Sequence, residues 1–210
     1  ALEGNTTADN NTAIGNQALQ VNTTGHSNTA VGSNALAANT TAQKNTAVGF
    51  QALTDNTTGE ENTALGRNSL QQNTTGDYNV AIGVNTLPNN TTASNNTGCG
   101  NGALGANSTG AKNTAVGTWA LDANTTADNN SALGYHSLGA NTTGAYNTAI
   151  GGYALASNIT ADSNTSIGYN ALGNNTTGYY NVAVGASALD ASTTGIELTA
   201  IGYNSLSANT

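Results

Sequence analysis

The stretch that decides the fold is residues 28–44, which read NTAVGSNALAANTTAQK. The same pattern returns every 17 residues and fills the chain of 210 residues without insertion or deletion. A short fixed period of this kind is typical of a solenoid. Counted from the leading asparagine, its copies begin at Asn11, Asn28, Asn45, Asn62, Asn79, Asn96, Asn113, Asn130, Asn147, Asn164 and Asn181, with a degenerate copy at Leu198.

Four positions of the repeat hardly vary. The fourth is aliphatic in every copy except one, where Cys99 is a small apolar substitute. The fifth is always Gly, the ninth always Leu and the fourteenth always Thr. Because each residue has a counterpart one period away, we expect each column of equivalent residues to stack on itself from coil to coil.

The length and composition of the repeat exclude a helical unit. Known helical repeats need roughly 33–47 residues for two helices and their turns, and Gly, Asn and Thr are poor helix formers. The T-A-V-G segment predicts a short strand, the Ala-Leu pair at the eighth and ninth positions predicts a second strand, and N-T-T-G predicts a turn. The sequence thus predicts one all-β domain over residues 1–210, a parallel β-solenoid of twelve coils, about 58 Å long at ~4.8 Å per coil.

Alternation along the strand should place the aliphatic residue of the fourth position on one face and Ala13 and Gly15 on the other. We expect the aliphatic residue and the leucine of the ninth position to fill the interior, with stacked Asn amides adding hydrogen bonds. Such a core is thin. We therefore expect identical chains to associate side by side, as a trimer, through the face of small residues. Neither end carries a capping segment, so we also expect the rod to continue into other segments or to stack end to end.

The composition excludes several classes of partner. Charged residues make up 7% of the chain and the net charge is −8, with Lys44, Arg67 and Lys112 as the basic residues. Nucleic acids and anionic membrane surfaces are bound by clustered basic residues, so neither is an expected partner. Without an apolar run long enough to cross a bilayer, no membrane insertion is expected. The single cysteine, Cys99, cannot form a disulfide within the chain.

The N-T-A-V-G…A-L…N-T-T-G pattern resembles the head repeats of trimeric autotransporter adhesins (YadA-like), and similar repeats of phage tail fibres and bacterial surface proteins. The resemblance rests on the aliphatic-Gly pair, such as Ile14-Gly15, with Ala13 before it, and it extends over the whole chain. The coil here is longer than the adhesin coil, and Thr12 stands where that family has Val. The resemblance implies a left-handed parallel β-roll that trimerises outside the cell, on a cell surface or a virion tail.

Candidate binding residues lie in the variable positions. Aromatic side chains favour contacts with sugars and proteins, so a surface glycan or a protein receptor is the expected ligand. The candidates, at the sixth and seventh positions, are Phe50, Trp119, Tyr135, Tyr153, Tyr169 and Tyr203. The alternative is that these rings pack along the rod or between chains. The two histidines, His26 and His136, are interpreted as surface residues, and no metal or other cofactor is predicted.

Three functions remain open at this point. The first is a structural or adhesive fibre segment, which is not an enzyme. The second is an ice-binding solenoid using rows of Thr, although adjacent threonines point to opposite faces of a strand and the Thr12 column is interrupted by Val80, Ser131 and Val182. The third is a spike that binds or degrades polysaccharides. The first is the function we expect.

Overall fold

The chain folds as a parallel β-solenoid, and the computed structural model describes residues 1–209. The second to fourth residues of each repeat form one short strand. All twelve strands belong to one parallel sheet, and each pairs with the next along the chain. The all-β solenoid predicted from the period is therefore confirmed. In chain order the strands are β1 Thr12–Ile14, β2 Thr29–Val31, β3 Thr46–Val48, β4 Thr63–Leu65, β5 Val80–Ile82, β6 Thr97–Cys99, β7 Thr114–Val116, β8 Ser131–Leu133, β9 Thr148–Ile150, β10 Thr165–Ile167, β11 Val182–Val184 and β12 Thr199–Ile201.

The register between strands is one repeat throughout. Thr12 pairs with Thr29 at one end of the sheet, and Val182 pairs with Thr199 at the other. Each column therefore lies beside itself, as expected from the period. Eleven spacings of ~4.8 Å make the sheet about 53 Å long. Within the described part of the chain, no helix is long and apolar enough to cross a membrane.

The interior is built from alanine, leucine and asparagine. In β3, Ala47 is fully buried while Thr46 and Val48 on either side of it are not. The leucine of the ninth position is fully buried from Leu19 to Leu189. The prediction that the aliphatic residues of the fourth position fill the interior is therefore wrong, as is the outward face assigned to alanine. Alternation along the strand was predicted correctly, but it is the small residue of the third position, alanine in nearly every coil, that packs with the leucines in the buried core.

Left-handed backbone conformations turn the coil at three positions occupied mainly by residues other than glycine. In one coil, Gln51, Leu53 and Glu61, at the seventh, ninth and seventeenth positions, have φ of 55°, 51° and 56°. The second strand predicted at the eighth and ninth positions does not form, because a leucine with positive φ cannot be part of an extended strand. The Asn and Gly of the N-T-T-G turn are residue types that tolerate left-handed angles, but they have no positive φ.

The glycine of the fifth position is required by both its angle and its surroundings. Gly117 has a φ of 134°, which side chains rarely allow. A Cβ atom on Gly117 would lie 2.5 Å from the carbonyl oxygen of Gly134 in the next coil. The invariant glycine column therefore lets successive coils approach at the end of each strand.

Two ladders of buried asparagine amides run along the solenoid. At the first position, the backbone N–H of Asn45 donates to Oδ1 of Asn28 at 2.9 Å. At the twelfth, Nδ2 of Asn39 donates to Oδ1 of Asn22 at 2.8 Å. Both ladders also hold the N-T-T-A turn of the coil, because Nδ2 of Asn28 and Nδ2 of Asn39 donate hydrogen bonds to the carbonyl oxygen of Ala42 in that turn. The expected stacking of Asn amides is confirmed, and it explains why polar side chains can occupy the interior.

The two threonines of the N-T-T-G segment have different roles. The first donates its hydroxyl to the backbone of the next coil, as Thr74 Oγ1 does to the Thr91 carbonyl oxygen at 2.9 Å. The second, represented by Thr75, is exposed, and its hydroxyl has no hydrogen bond within the described residues. The thirteenth position therefore links successive coils, whereas the invariant threonine of the fourteenth position faces solvent.

Candidate functional site

The outer face of the sheet is an uncharged surface of threonine and aliphatic side chains. It consists of the first and third residues of all twelve strands, which are the second and fourth positions of the repeat, and we call it the sheet face. None of these residues is Lys, Arg, Asp or Glu, although the chain as a whole is acidic. In β4, Thr63 and Leu65 flank the buried Ala64, and Leu65 is 46% exposed. The other large aliphatic side chains exposed on this face are Ile14, Ile82, Leu133, Ile150, Ile167 and Ile201.

A second surface is formed by aromatic residues in four successive coils. The ring centroids of Trp119 and Tyr135 are 5.6 Å apart, those of Tyr135 and Tyr153 5.3 Å, and those of Tyr153 and Tyr169 6.1 Å. All three pairs meet edge to face. His136 stacks on Tyr153 with centroids 5.8 Å apart. These five residues form what we call the aromatic cluster.

Glycines beneath the rings of the cluster leave the space that the rings occupy. Trp119 lies over Gly102 of the preceding coil, where a Cβ atom would come within 2.7 Å of the indole Cδ1. The His136 ring lies over Gly139, which likewise has no room for a side chain. Gly152 separates Tyr135 from Tyr169 at the sixth position. The packing of the rings therefore depends on glycines in the same coil and in neighbouring coils.

One member of the cluster, His136, was interpreted from the sequence as a surface residue, and it is half-buried among the rings. It lies at the seventh position, between Trp119 and Tyr153 in the same column. Because the period is 17 residues, Trp119, His136 and Tyr153 lie in successive coils. The repeat register alone could therefore have predicted that His136 lies beside the aromatic rings. His26 lies apart from these rings in the repeat, at the sixteenth position, and its Nδ1 is 3.3 Å from the hydroxyl oxygen of the neighbouring Ser27.

Asp122 is the carboxylate next to this cluster. Partial burial raises the pKa of Asp122, and the nearby His136 imidazole opposes that shift. Its Oδ1 atom and Nδ1 of His136 are both buried without a hydrogen-bond partner among the described residues. The cluster therefore combines exposed rings with polar atoms that the chain itself leaves unsatisfied.

The remaining predicted site residues lie apart from the cluster. Phe50 and Tyr203 are 48% and 78% exposed and make no ring contact with another aromatic residue described here. Tyr179 and Tyr180 contact each other edge to face at 5.2 Å and line a shallow cleft with Asp162. Four of the six predicted residues, Trp119, Tyr135, Tyr153 and Tyr169, are thus brought together, and two are not.

Over residues 1–209, no three His, Cys, Asp or Glu side chains gather in a way that could hold a metal ion. Cys99 is a free thiol in β6, half-buried on the sheet face. No protein-family model, curated protein or solved structure matches the chain.

Proposed function

We propose that the chain is a structural or adhesive fibre segment that associates side by side with identical chains, on a cell surface or a virion tail. The sheet face carries this proposal. The chain has a net charge of −8, yet two columns along the whole sheet contain no charged residue. Exposed apolar side chains that are contiguous and uncharged are typical of interaction sites.

The dimensions of the sheet face suit a lateral contact. It is about 53 Å long and, at ~3.3 Å per residue, three residues or about 10 Å wide. Its geometric area is therefore roughly 500 Å², shared between the threonine column and the aliphatic column. A stable interface buries about 800 Å² on each partner, so the contact must extend beyond the face into flanking columns. A long rod with a constant register can provide this.

We propose three chains per assembly, with a left-handed coil, on the resemblance to trimeric adhesin heads. Burial of the sheet faces against one another would supply the apolar core that a single narrow coil lacks. The small-residue interface expected at first has no place in this proposal, because the alanine column is already inside the coil.

Sedimentation equilibrium of the purified chain tests the proposal. We expect a mass about three times the 20.8 kDa of one chain. Replacing Ile82, Leu133 and Ile167 together by Glu should give folded monomers, because an interface cannot bury unpaired carboxylates. A matched control is Val21→Glu, since Val21 is 44% exposed but lies outside the sheet. A wild-type monomer at every concentration would reject lateral association, and a dimer would reject the trimer alone.

A second candidate function, ice binding, is favoured by the two outward threonine columns. Second-position residues such as Thr46 and fourteenth-position residues such as Thr58 are exposed, and their hydroxyls make no hydrogen bond within residues 1–209. The fourteenth-position column is unbroken from Thr7 to Thr194, unlike the Thr12 column. Thermal hysteresis and faceted ice crystals in a dilute solution of the chain would support this candidate, and the absence of both would reject it.

A further inference from the structure

The aromatic cluster departs from the rest of the repeat in a way that the fold does not require. Other coils have asparagine at the seventh position, for example Asn34 and Asn68, and they form the same coil with the same left-handed angle. Trp119, His136 and Tyr153 have φ of 56°, 53° and 59° at this position. Asparagine tolerates such angles, whereas bulky residues rarely adopt them. The left-handed angle belongs to every coil, whatever residue occupies this position. What distinguishes these three successive coils is that bulky rings stand in the column where other coils have asparagine, glutamine, serine or glycine.

The rings present both apolar and polar atoms to solvent. Trp119, Tyr135, Tyr153 and Tyr169 are 44%, 42%, 38% and 62% exposed. Edge-to-face contact between neighbours leaves part of each ring face uncovered. Desolvation, and after it a close interaction with the Tyr135 side chain, raises the pKa of Tyr153, and within residues 1–209 the Tyr169 hydroxyl makes no hydrogen bond. A ligand with apolar C–H faces and many hydroxyl groups would match such a surface.

The charge beside the rings specifies the ligand further. Asp122 is a partly buried carboxylate near His136, and its Oδ1 atom is buried without a partner within residues 1–209. Because a buried oxygen is closed to solvent, the part of this carboxylate that stays open beside the rings is the part that can accept hydrogen bonds from hydroxyl groups. With three basic residues in the whole chain, none of them in these coils, an anionic ligand would be repelled. The ligand should therefore be rich in hydroxyls and uncharged.

We propose that the aromatic cluster binds a neutral polysaccharide, whose pyranose rings stack on Trp119 and the tyrosines and whose hydroxyls are held by the tyrosine hydroxyls and Asp122. The cluster extends over four coils, or three spacings of ~4.8 Å, which makes about 14 Å. That length suits an extended chain better than a single sugar. The inference names the ligand of the adhesive role proposed above and rests on that role, but it uses a different surface from the sheet face.

The experiment uses Trp119, the single tryptophan of the chain, as an intrinsic fluorescent reporter. Probes are soluble mixed-linkage β-glucan, galactomannan and dextran, with alginate as the acidic comparison. Binding is also measured by retardation in native gels that contain each polysaccharide. We expect at least one neutral polysaccharide to shift the Trp119 emission and retard the chain, and alginate to do neither.

The decisive variant carries Trp119→Asn, His136→Asn and Tyr153→Asn together. Asparagine occupies this column in other coils, so the variant should fold, which far-UV circular dichroism checks. We expect gel binding about tenfold weaker or lost. The matched control is Tyr78→Asn, which removes an exposed tyrosine with a left-handed φ of 58° outside the cluster and should leave binding unchanged.

Three outcomes would overturn the inference. They are no binding to any neutral polysaccharide, equal binding by the triple variant, and loss of chain association in the triple variant in place of loss of binding. The last would assign the cluster to a contact between chains. Sedimentation of the same samples separates the two proposals, because a trimer that binds no polysaccharide keeps the fibre proposal and removes this one.

Discussion

Thr86 and Gly98 depart from the repeat as a pair. Thr86 stands at the eighth position, where other coils have Ala or Ser, and Gly98 stands at the third position of the next coil, where nearly all others have Ala. A Cβ atom on Gly98 would lie 2.7 Å from Cγ2 of Thr86. The larger side chain in one coil is therefore matched by the missing methyl group in the next.

We predict that Gly98→Ala alone destabilises the chain by about 1–3 kcal/mol, because it overpacks the coil interior. Thr86→Ala alone should also destabilise it, by leaving a cavity and removing the hydrogen bond from Thr86 Oγ1 to the Gly100 carbonyl oxygen. The double variant restores the repeat, so it should be more stable than the sum of the single effects predicts, by about 1 kcal/mol or more. Guanidinium denaturation of all four proteins measures this, and strict additivity would contradict it.

Asp122 gives a prediction that depends on pH. Burial raises its carboxyl pKa from the ordinary 3.8, so the fold disfavours the ionised form. By linkage, the contribution of this carboxyl to stability is fully present below pH 3.8 and is lost as pH rises through the raised pKa. We expect Asp122→Asn to raise the melting temperature at neutral pH, and this gain to disappear in acid, where the wild-type carboxyl is protonated.

Melting curves of wild type and Asp122→Asn at neutral and acid pH provide the test. The same substitution should weaken polysaccharide binding, because Asp122 is placed in the proposed site. An equal difference in melting temperature at both pH values would show that ionisation is not the cause. Asp128→Asn is a suitable comparison, since Asp128 is exposed and accepts a hydrogen bond from the Ala111 N–H.

At the scale of the structural element, the asparagine ladder of the twelfth position ends before the last coils. Ser192 takes the place of asparagine there. Oδ1 of Asn175 and Oγ of Ser192 are then buried without a partner in the described chain. Elsewhere the ladder amide donates twice, as Asn158 does to Asn141 Oδ1 and to the Ala161 carbonyl oxygen. The break therefore leaves unsatisfied groups that an asparagine would pair.

We predict that Ser192→Asn stabilises the chain by about 1–2 kcal/mol, because it satisfies Asn175 Oδ1 and provides a second donor for the Gly195 carbonyl oxygen. Asn107→Ser should have the opposite effect, since it introduces the same break in the middle of the ladder. Chemical denaturation of the two variants and the wild type measures both changes. A neutral Ser192→Asn would mean that water already satisfies these atoms.

The strands show how much of the fold followed from the sequence. The period fixed the parallel register, and alternation around Thr46-Ala47-Val48 was predicted correctly, but the side facing inward was not. Apolar size favoured burying Val48, whereas the interior is already filled by leucine and two amide ladders, which leaves room for Ala47. The stacking of the Asn amides was expected, but the residue types alone did not show how much of the interior the two ladders occupy.

The corners were less predictable than the strands. Leu53 has a φ of 51°, and a left-handed backbone angle costs a residue with a side chain about 1–2 kcal/mol. Full burial of the leucine side chain contributes ~1.5–3 kcal/mol and offsets this cost. No rule of local sequence identifies such a residue. The aromatic cluster was partly predicted, because rings at the sixth and seventh positions were singled out. Its members could have been grouped by asking which of them are one coil apart.

At the scale of the whole molecule, the solenoid is nearly one-dimensional. Each strand contacts only the strand before it and the strand after it. The stability of such an array is close to a sum over coils and the interfaces between them. A coil should therefore be removable as a unit, provided that the columns on either side meet in register.

We predict that deletion of residues 45–61, one complete coil, leaves a folded rod. The new junction joins Lys44 to Asn62, so Asn28 can bind Asn62 in the first-position ladder and Leu36 stacks on Leu70 as the columns require. Circular dichroism per residue should be unchanged, with a modest fall in melting temperature.

Deletion of residues 45–53 joins Lys44 to Thr54 instead and places polar residues against the leucine column. This partial deletion removes fewer residues but should abolish cooperative unfolding, because burying unpaired polar groups costs more than losing one coil. If both deletions behaved alike, register between coils would not be what holds the rod together.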